Sequence, residues 1–485
     1  MMAFNWGSFY RPELSPYVQD WIRLVYGGLL LAQQICLAPL IRRYFTSEDC
    51  GGYMDRDKKW HGAQKPMAAV FVFSLWVLSA LGLVTGRHVP LAAAFNLLFS
   101  YLYFIRTRWT SILRGMGAPG YMTFWLASLI FFLELARYAG PLERSFHHAV
   151  LFCFQFDFAV MILDSGLIKI LFGYARSEGM DYGLVNPYWS YGWRWYKEIK
   201  PSSAIFRILN HLAYLSEIIG ALALLYPPTR FLGIFLIAGG FLIVAAQIRL
   251  GMLAEMVMLS TLIYWSSAGP FSGGTTLRIL PVWLSHLFIA FFWTYAVLLP
   301  VAKIGLYYNY FAKKKLYAPL QRLLETYANT FGIILWRVFT SDLTDFYVRV
   351  YTVDRLSGEK TEYARLGQWS RKTLNRYQWV GEFICLTSIF TTLKYFPRSP
   401  ERFEKKLLRY AKTLGTSARD LLLFEYISIQ KTERNFSHVL VRHFLVDLGD
   451  LTVREETLAS GFSVQTAHPG SKLHPSLNPG TYVPA

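Results

Sequence analysis

The sequence is poor in charge. Charged residues make up 16 % of its 485 residues, whereas soluble globular domains carry roughly 25 %. Hydrophobic residues make up 54 % and aromatic residues 17 %. This composition excludes an ordinary soluble domain, because so much apolar surface needs a bilayer to cover it. We therefore predict a polytopic membrane protein built from helices.

Cysteine and acidic residues are also scarce. The four cysteines form no C-x-x-C pair, so the sequence predicts neither a disulfide framework nor a metal site. The formal charge is +18, which in a membrane protein indicates basic cytoplasmic loops rather than nucleic-acid binding. The first 19 residues lack the basic start and short apolar core of a cleavable signal, so we expect the first span to direct insertion.

Long apolar runs, in contrast, recur through the first two-thirds of the chain. Nine are long enough to be read as spans: 21–40, 67–86, 90–105, 121–139, 149–172, 209–226, 231–247, 251–265 and 281–306. The third and eighth are short. The fold class predicted for residues 1–309 is thus an all-α polytopic membrane bundle of about nine spans.

Basic residues predict the orientation of this bundle. The loops after the first, third and fifth spans are rich in Lys and Arg, and three lysines, at 313–315, follow the last span. Because Lys and Arg collect in cytoplasmic loops, we expect the N-terminus outside and the C-terminal region in the cytoplasm. The expected location is a bacterial cell (inner) membrane, with membrane lipids as partners.

The composition changes at residue 310, where a small cytoplasmic α+β domain is predicted for 310–462. Residues 346–354 alternate, 355–358 can turn and 359–366 can return, which indicates a hairpin. Ser399-Pro400-Glu401 opens a predicted helix that continues to Leu414. Residues 421–430 and 438–447 are two more candidate strands, and 463–485 has the composition of a flexible tail.

Four polar side chains interrupt the apolar stretch 155–172: Gln155, Asp157, Asp164 and Lys169. At about 100° per helical residue, Lys169 shares a face with Gln155 and Ser165, and the two aspartates share another. The aspartates are therefore expected to bind a different helix. The partner of Lys169 must come from elsewhere in the bundle.

Two interpretations of Lys169 remain open. It is either a structural ion-pair residue, or a desolvated lysine that acts as a base near neutral pH. Glu134, Glu217 and Glu255 lie in or beside other spans, and each could pair with Lys169 or with another cation such as Arg137 or Arg249.

Two stretches together resemble a known family. Residues 108–134 resemble the basic-loop-then-helix segment of the HTTM proteins, the membrane domain shared with vitamin-K-dependent gamma-carboxylases. Residues 155–172 resemble the lysine helix of that family, in which a glutamine precedes a Gly-x-x-Lys core, here Gly166 to Lys169. The similarity covers roughly residues 21–315.

The resemblance implies a role for one residue. In the carboxylases the lysine that matches Lys169 is the base that deprotonates a reduced quinone, so the family suggests a quinone as cofactor. The carboxylases also carry a histidine–asparagine pair in the helix matching 239–247. That stretch has no histidine here, although Gln247 could supply a hydrogen-bond donor. This departure argues against peptide carboxylation.

Two functions follow as hypotheses. One is a lysine-dependent enzyme that removes a proton from a quinone or lipid-like substrate. The other is a non-catalytic subunit or assembly factor of a bacterial membrane complex, which would dock through its C-terminal domain. A transporter is less well supported, because the sequence shows no inverted repeat or paired broken helices.

Overall fold

The computed structural model describes residues 11–57, 59–107, 112, 117–176, 178–265, 280–312, 314–333, 335, 341–363, 376–414 and 421–456. We number the helices of nine or more residues in chain order. They are α1 Pro16–Phe45, α2 Pro66–Thr85, α3 Val89–Arg106, α4 Pro119–Ala136, α5 Gly140–Leu171, α6 Ala204–Leu225, α7 Pro227–Gln247, α8 Leu253–Tyr264, α9 Val282–Ala312, α10 Ala318–Phe331, α11 Arg376–Tyr395 and α12 Pro400–Lys412.

Eight of these helices, α1 to α7 and α9, are long and apolar enough to cross a membrane. They confirm the helical bundle, and they coincide with eight of the nine predicted spans. Helix ends follow local chemistry: Pro66 begins α2, and Gly86, with a φ of 69°, ends it in the left-handed conformation that glycine adopts without strain. Large apolar side chains point outward from the bundle, such as Met67, which is 86 % exposed. Such a surface suits lipid.

The structure corrects the prediction that residues 251–265 form a full-length span. It forms α8, a helix of 12 residues over Leu253–Tyr264, and 12 residues rise only about 18 Å, which is less than the roughly 30 Å hydrocarbon core. Nearly all of α8 is buried among the other helices. A short helix is tolerated there because protein, not lipid, surrounds most of its side chains.

The chain nevertheless passes from one end of the bundle to the other between α7 and α9. Ile248, just after α7, pairs with Ser190 in the loop that follows α5. Leu280, just before α9, donates its backbone N–H to Tyr138 in the loop that precedes α5, at 3.1 Å. The two loops lie at opposite ends of α5. Ile248 and Leu280, on either side of α8 in the sequence, therefore lie at opposite ends of the bundle.

The C-terminal region holds a five-stranded antiparallel sheet, with the strands β1 Phe346–Val353, β2 Lys360–Glu362, β3 Leu421–Lys431, β4 Phe436–Asp447 and β5 Thr452–Glu456. The strands lie side by side in the order β2-β1-β3-β4-β5. The predicted hairpin, its turn at Gly358 with a φ of 71°, the helix after Ser399 and the two later strands are all confirmed. Residues 364–366 of the hairpin prediction and the predicted tail lie outside the described residues.

Two helices that the sequence analysis did not assign complete the structure. Helix α10 packs against α9, where the Tyr327 hydroxyl donates a hydrogen bond to the Tyr295 backbone carbonyl at 3.2 Å. Helix α11 lies between the bundle and the sheet: its Phe383 contacts Trp189 in the loop after α5, and its Phe390 stacks on Tyr426 of β3. The sheet is thus joined to the bundle through α11.

A buried carboxylate fixes α11 to the end of α1. Glu382 is fully buried, and its two oxygens lie 2.5 and 2.9 Å from the Arg43 guanidinium. The hydroxyls of Tyr44 and Tyr410 donate to the same carboxylate at 2.7 and 2.6 Å. Burial raises the pKa of Tyr410 well above its usual value, so this phenol keeps its proton and stays a donor.

Candidate functional site

Lys169 lies two residues before the end of α5, and its side chain is 5 % exposed. Its ammonium donates to both carboxylate oxygens of Glu217 on α6 at 2.5 Å, and to the Ser165 hydroxyl at 2.9 Å. Glu217 is therefore the partner, one of the three acids that the sequence analysis considered. Buried charge of this kind is tolerated because it is paired and hydrogen-bonded.

Close approach of α5 and α6 allows this pair to form. A Cβ placed on Gly166 would lie 2.7 Å from Ile218 Cγ1 and 3.2 Å from the Tyr214 carbonyl oxygen, both on α6. Glycine is thus the residue that lets the two helices meet beside Lys169. The Gly-x-x-Lys spacing places the small residue one helical turn from the ammonium.

Replacing Gly166 with alanine should therefore destabilise the bundle by about 1–3 kcal/mol, the usual cost of overpacking. Gly239 on α7 is a matched control, because a Cβ there meets no atom within 4 Å. Gly239→Ala should be neutral or slightly stabilising, since alanine favours helix over glycine by about 1 kcal/mol. Thermal unfolding in one detergent compares the two variants; equal midpoints would contradict the close-contact argument.

Asp164 binds a different helix, as predicted. Its carboxylate lies 2.7 Å from the Lys303 ammonium on α9 and also accepts a hydrogen bond from the Tyr307 hydroxyl. Lys303 was not among the candidates, although a lysine inside the apolar run 281–306 was the available signal. Among the described residues, α5 thus takes part in two buried lysine–carboxylate pairs, one with α6 and one with α9.

Asp157 is held differently. The Trp125 indole N–H on α4 donates to its carboxylate at 2.9 Å, and the Tyr121 hydroxyl lies 3.5 Å away. The Tyr295 hydroxyl on α9 also hydrogen-bonds to it. Among the described residues, no lysine or arginine lies within ion-pair distance of Asp157. Lys303 acts on it only through space.

Asp157 also lines a large cavity between α3, α4, α5, α9 and α10. Its volume is about 400 Å³, and its walls are mainly aromatic and aliphatic. Helix α3 supplies Ala94 and Leu98, and α5 supplies Cys153. Leu98 is 49 % exposed on the outer face of the bundle. This wall of the cavity therefore adjoins the surface where lipid would lie.

Gln155 lies on the opposite side of α5 from this cavity. Its side-chain amide donates to the Ile263 backbone carbonyl at the end of α8 at 2.7 Å. The backbone carbonyl of Gln155 accepts a hydrogen bond from the Tyr264 hydroxyl. Gln155 also lines a much smaller cavity of about 10 Å³ beside Arg230. It thus fixes the buried end of α8.

The remaining candidates lie apart from Lys169. Glu134 pairs with Arg137 at 3.4 Å, and Gln247 accepts a hydrogen bond from the Tyr196 hydroxyl at 2.8 Å. Glu255 lies half-buried in the first turn of α8. The ammonium of Lys169 reaches only Ser165 and Glu217 among the described residues, and Lys169 lines neither of the two cavities.

The structure thus places Lys169 and the cavity at different positions along α5. The lysine is enclosed in an ion pair near one end of α5. The cavity of about 400 Å³, with the Asp157 carboxylate at its wall, lies three turns away along the same helix. No protein-family model, no curated protein and no solved structure matches this chain. The resemblance to the HTTM family therefore stays a prediction, and the geometry of the chain itself has to carry the functional argument.

Proposed function

We propose that this chain is a multi-pass membrane protein that binds an apolar, lipid-like molecule in the cavity beside Asp157. The cavity itself is the observation that carries the proposal. Its volume, about 400 Å³, falls within the range of roughly 300–1,000 Å³ for small-molecule sites. Apolar walls with a single well-placed polar group are also typical of such sites.

The position of Leu98 supports entry from the bilayer. It both lines the cavity and is exposed on the outer surface of α3. A lipid-like molecule dissolved in the membrane would meet this wall without crossing water. A quinone, which the family resemblance suggests, is one molecule of this kind.

The role of Lys169 in this proposal is structural. A base must reach the proton that it removes, directly or through one water. The Lys169 ammonium is instead enclosed by Glu217 and Ser165 and lies outside the cavity. The geometry supports ligand binding more than lysine-based proton abstraction.

A direct test is mass spectrometry of the intact protein released from mild detergent. The unmodified protein should retain an apolar molecule of lipid-like mass. Ala94→Trp fills the cavity and should reduce the retained fraction at least about tenfold, which corresponds to about 1.4 kcal/mol. Leu91→Trp is the matched control on the same helix, because Leu91 is 59 % exposed and lies outside the cavity. Equal retention in the two variants would contradict the proposal.

The second candidate function is a non-catalytic subunit or assembly factor of a bacterial membrane complex. The enclosed Lys169 favours it, because it leaves the chain without an accessible family base. The sheet and α12 would then offer the docking surface in the cytoplasm, with the N-terminus outside. Purification in gentle detergent tests this candidate: a stable partner at fixed stoichiometry would support it, and a homogeneous single chain would count against it.

A further inference from the structure

The buried acids of α5 and α6 differ in whether a lysine pairs with them. Two buried acids of the bundle, Asp164 and Glu217, each have a lysine within 2.7 Å. Asp157 is equally buried, and its hydrogen-bond donors among the described residues are neutral: the Trp125 indole and the Tyr121 and Tyr295 hydroxyls. Lys303 acts on it only through space. An ionised carboxylate in an apolar region is costly without a counter-charge. Of these three acids, Asp157 is also the one that faces the cavity.

From this asymmetry we propose that the molecule bound in the cavity is a cationic amphiphile, whose ammonium head group lies against Asp157. This inference rests on the proposed function and adds the chemical class of the ligand. The ligand would supply the positive charge that the chain supplies to Asp164 and Glu217 through lysines.

The walls around Asp157 match such a head group. Trp125, Tyr121 and Tyr295 all line the cavity next to the carboxylate. Aromatic faces attract alkylated ammonium groups through the cation–π interaction, by about 2 kcal/mol or more where water is excluded. A carboxylate among aromatic rings therefore favours an ammonium over a neutral or anionic head group.

The rest of the cavity suits the tail of the same molecule. Leu97 and Leu98 on α3, with Phe291 and Phe292 on α9, line the same cavity with apolar side chains. Among the described residues that line this cavity there is no lysine or arginine, so an anionic lipid head group would find no cationic partner in this lining. Charge complementarity thus selects a positively charged head over a phosphate.

The test compares three probes with the same twelve-carbon chain: dodecyltrimethylammonium, dodecanol and dodecanoate. Each is added at equal mole fraction to the full chain in maltoside detergent, and bound probe is counted by mass spectrometry of the intact protein. The ammonium probe should bind at least about tenfold more than dodecanol, a difference of about 1.4 kcal/mol. Dodecanoate should bind less than dodecanol.

Two variants test whether Asp157 causes the preference for the ammonium probe. Asp157→Asn should reduce the ratio of ammonium to dodecanol binding to about one, whereas Glu134→Gln should preserve it, because Glu134 pairs with Arg137 outside the cavity. The probe ratio of the unmodified protein is itself a test, even if Asp157→Asn does not fold.

The two proposals fail in different ways. Equal binding of all three probes, lost in Ala94→Trp, would overturn the cationic head group and leave the cavity as a lipid-like site. Probe binding that Ala94→Trp does not change would overturn both. A preference for dodecanoate would also overturn the cationic assignment.

Discussion

Replacing Lys169 with methionine should lower the free energy of unfolding of the bundle by about 3–5 kcal/mol, because Glu217 would be left buried without its cation. Replacing both partners, Lys169→Met with Glu217→Leu, should recover most of that loss. Well-packed apolar residues often substitute for a buried ion pair at little cost. Thermal unfolding of the two variants in one detergent measures the difference.

This comparison also separates a structural lysine from a catalytic one. If Lys169 serves only to pair with Glu217, the double variant should fold and should retain the molecule bound in the cavity. A double variant that folds like the unmodified protein but loses ligand binding or cellular function would instead identify Lys169 as a functional group. A single variant of unchanged stability would contradict the ion-pair account.

Replacing Glu382 with alanine should have a comparable effect at the junction of bundle and sheet. The Arg43 guanidinium would remain buried without a carboxylate, and two tyrosine hydroxyls would lose their acceptor. The expected loss is about 3–5 kcal/mol. Hydrogen exchange should show faster exchange in α11 and β3, the elements that this contact holds to α1.

Glu401→Ala is the control for that experiment. Glu401 is exposed in the first turn of α12, in the same C-terminal region, where a surface substitution usually changes stability by less than about 0.5 kcal/mol. If both variants lost the same stability, the buried cluster around Glu382 would not be what joins the two parts of the chain.

The sequence was informative about elements with a clear period or a clear breaker. The alternation of Phe346–Val353 predicted a strand, and Pro400 after Ser399 predicted a helix start, and both are observed. Helix α11 was missed because its sequence has no distinct apolar face. Its residues from Val380 to Thr392 are mostly buried, and they include the run Thr391-Thr392, a residue type that favours strands. Tertiary burial overrode that local preference.

Local sequence patterns were equally limited in predicting the candidate site. Helical spacing predicted that Asp157 and Asp164 bind other helices, and this is observed. Glu217 was one of three acids proposed for Lys169, because spacing along one helix says nothing about which neighbour packs against it. The position of the cavity was not predicted, since five helices distant in sequence form its walls. Trp125 and Tyr121, polar-tipped aromatics within an apolar helix, were the available signal.

We infer that the ligand lies beside Asp157 while Lys169 stays bound to Glu217. An experimental density map of the protein in lipid nanodiscs tests both halves at once. We expect elongated density between α3, α4 and α9 that ends at the Asp157 carboxylate, with the Lys169 ammonium in contact with Glu217. A cavity closed by side chains, together with ligand density against a Lys169 that has left Glu217, would contradict the account.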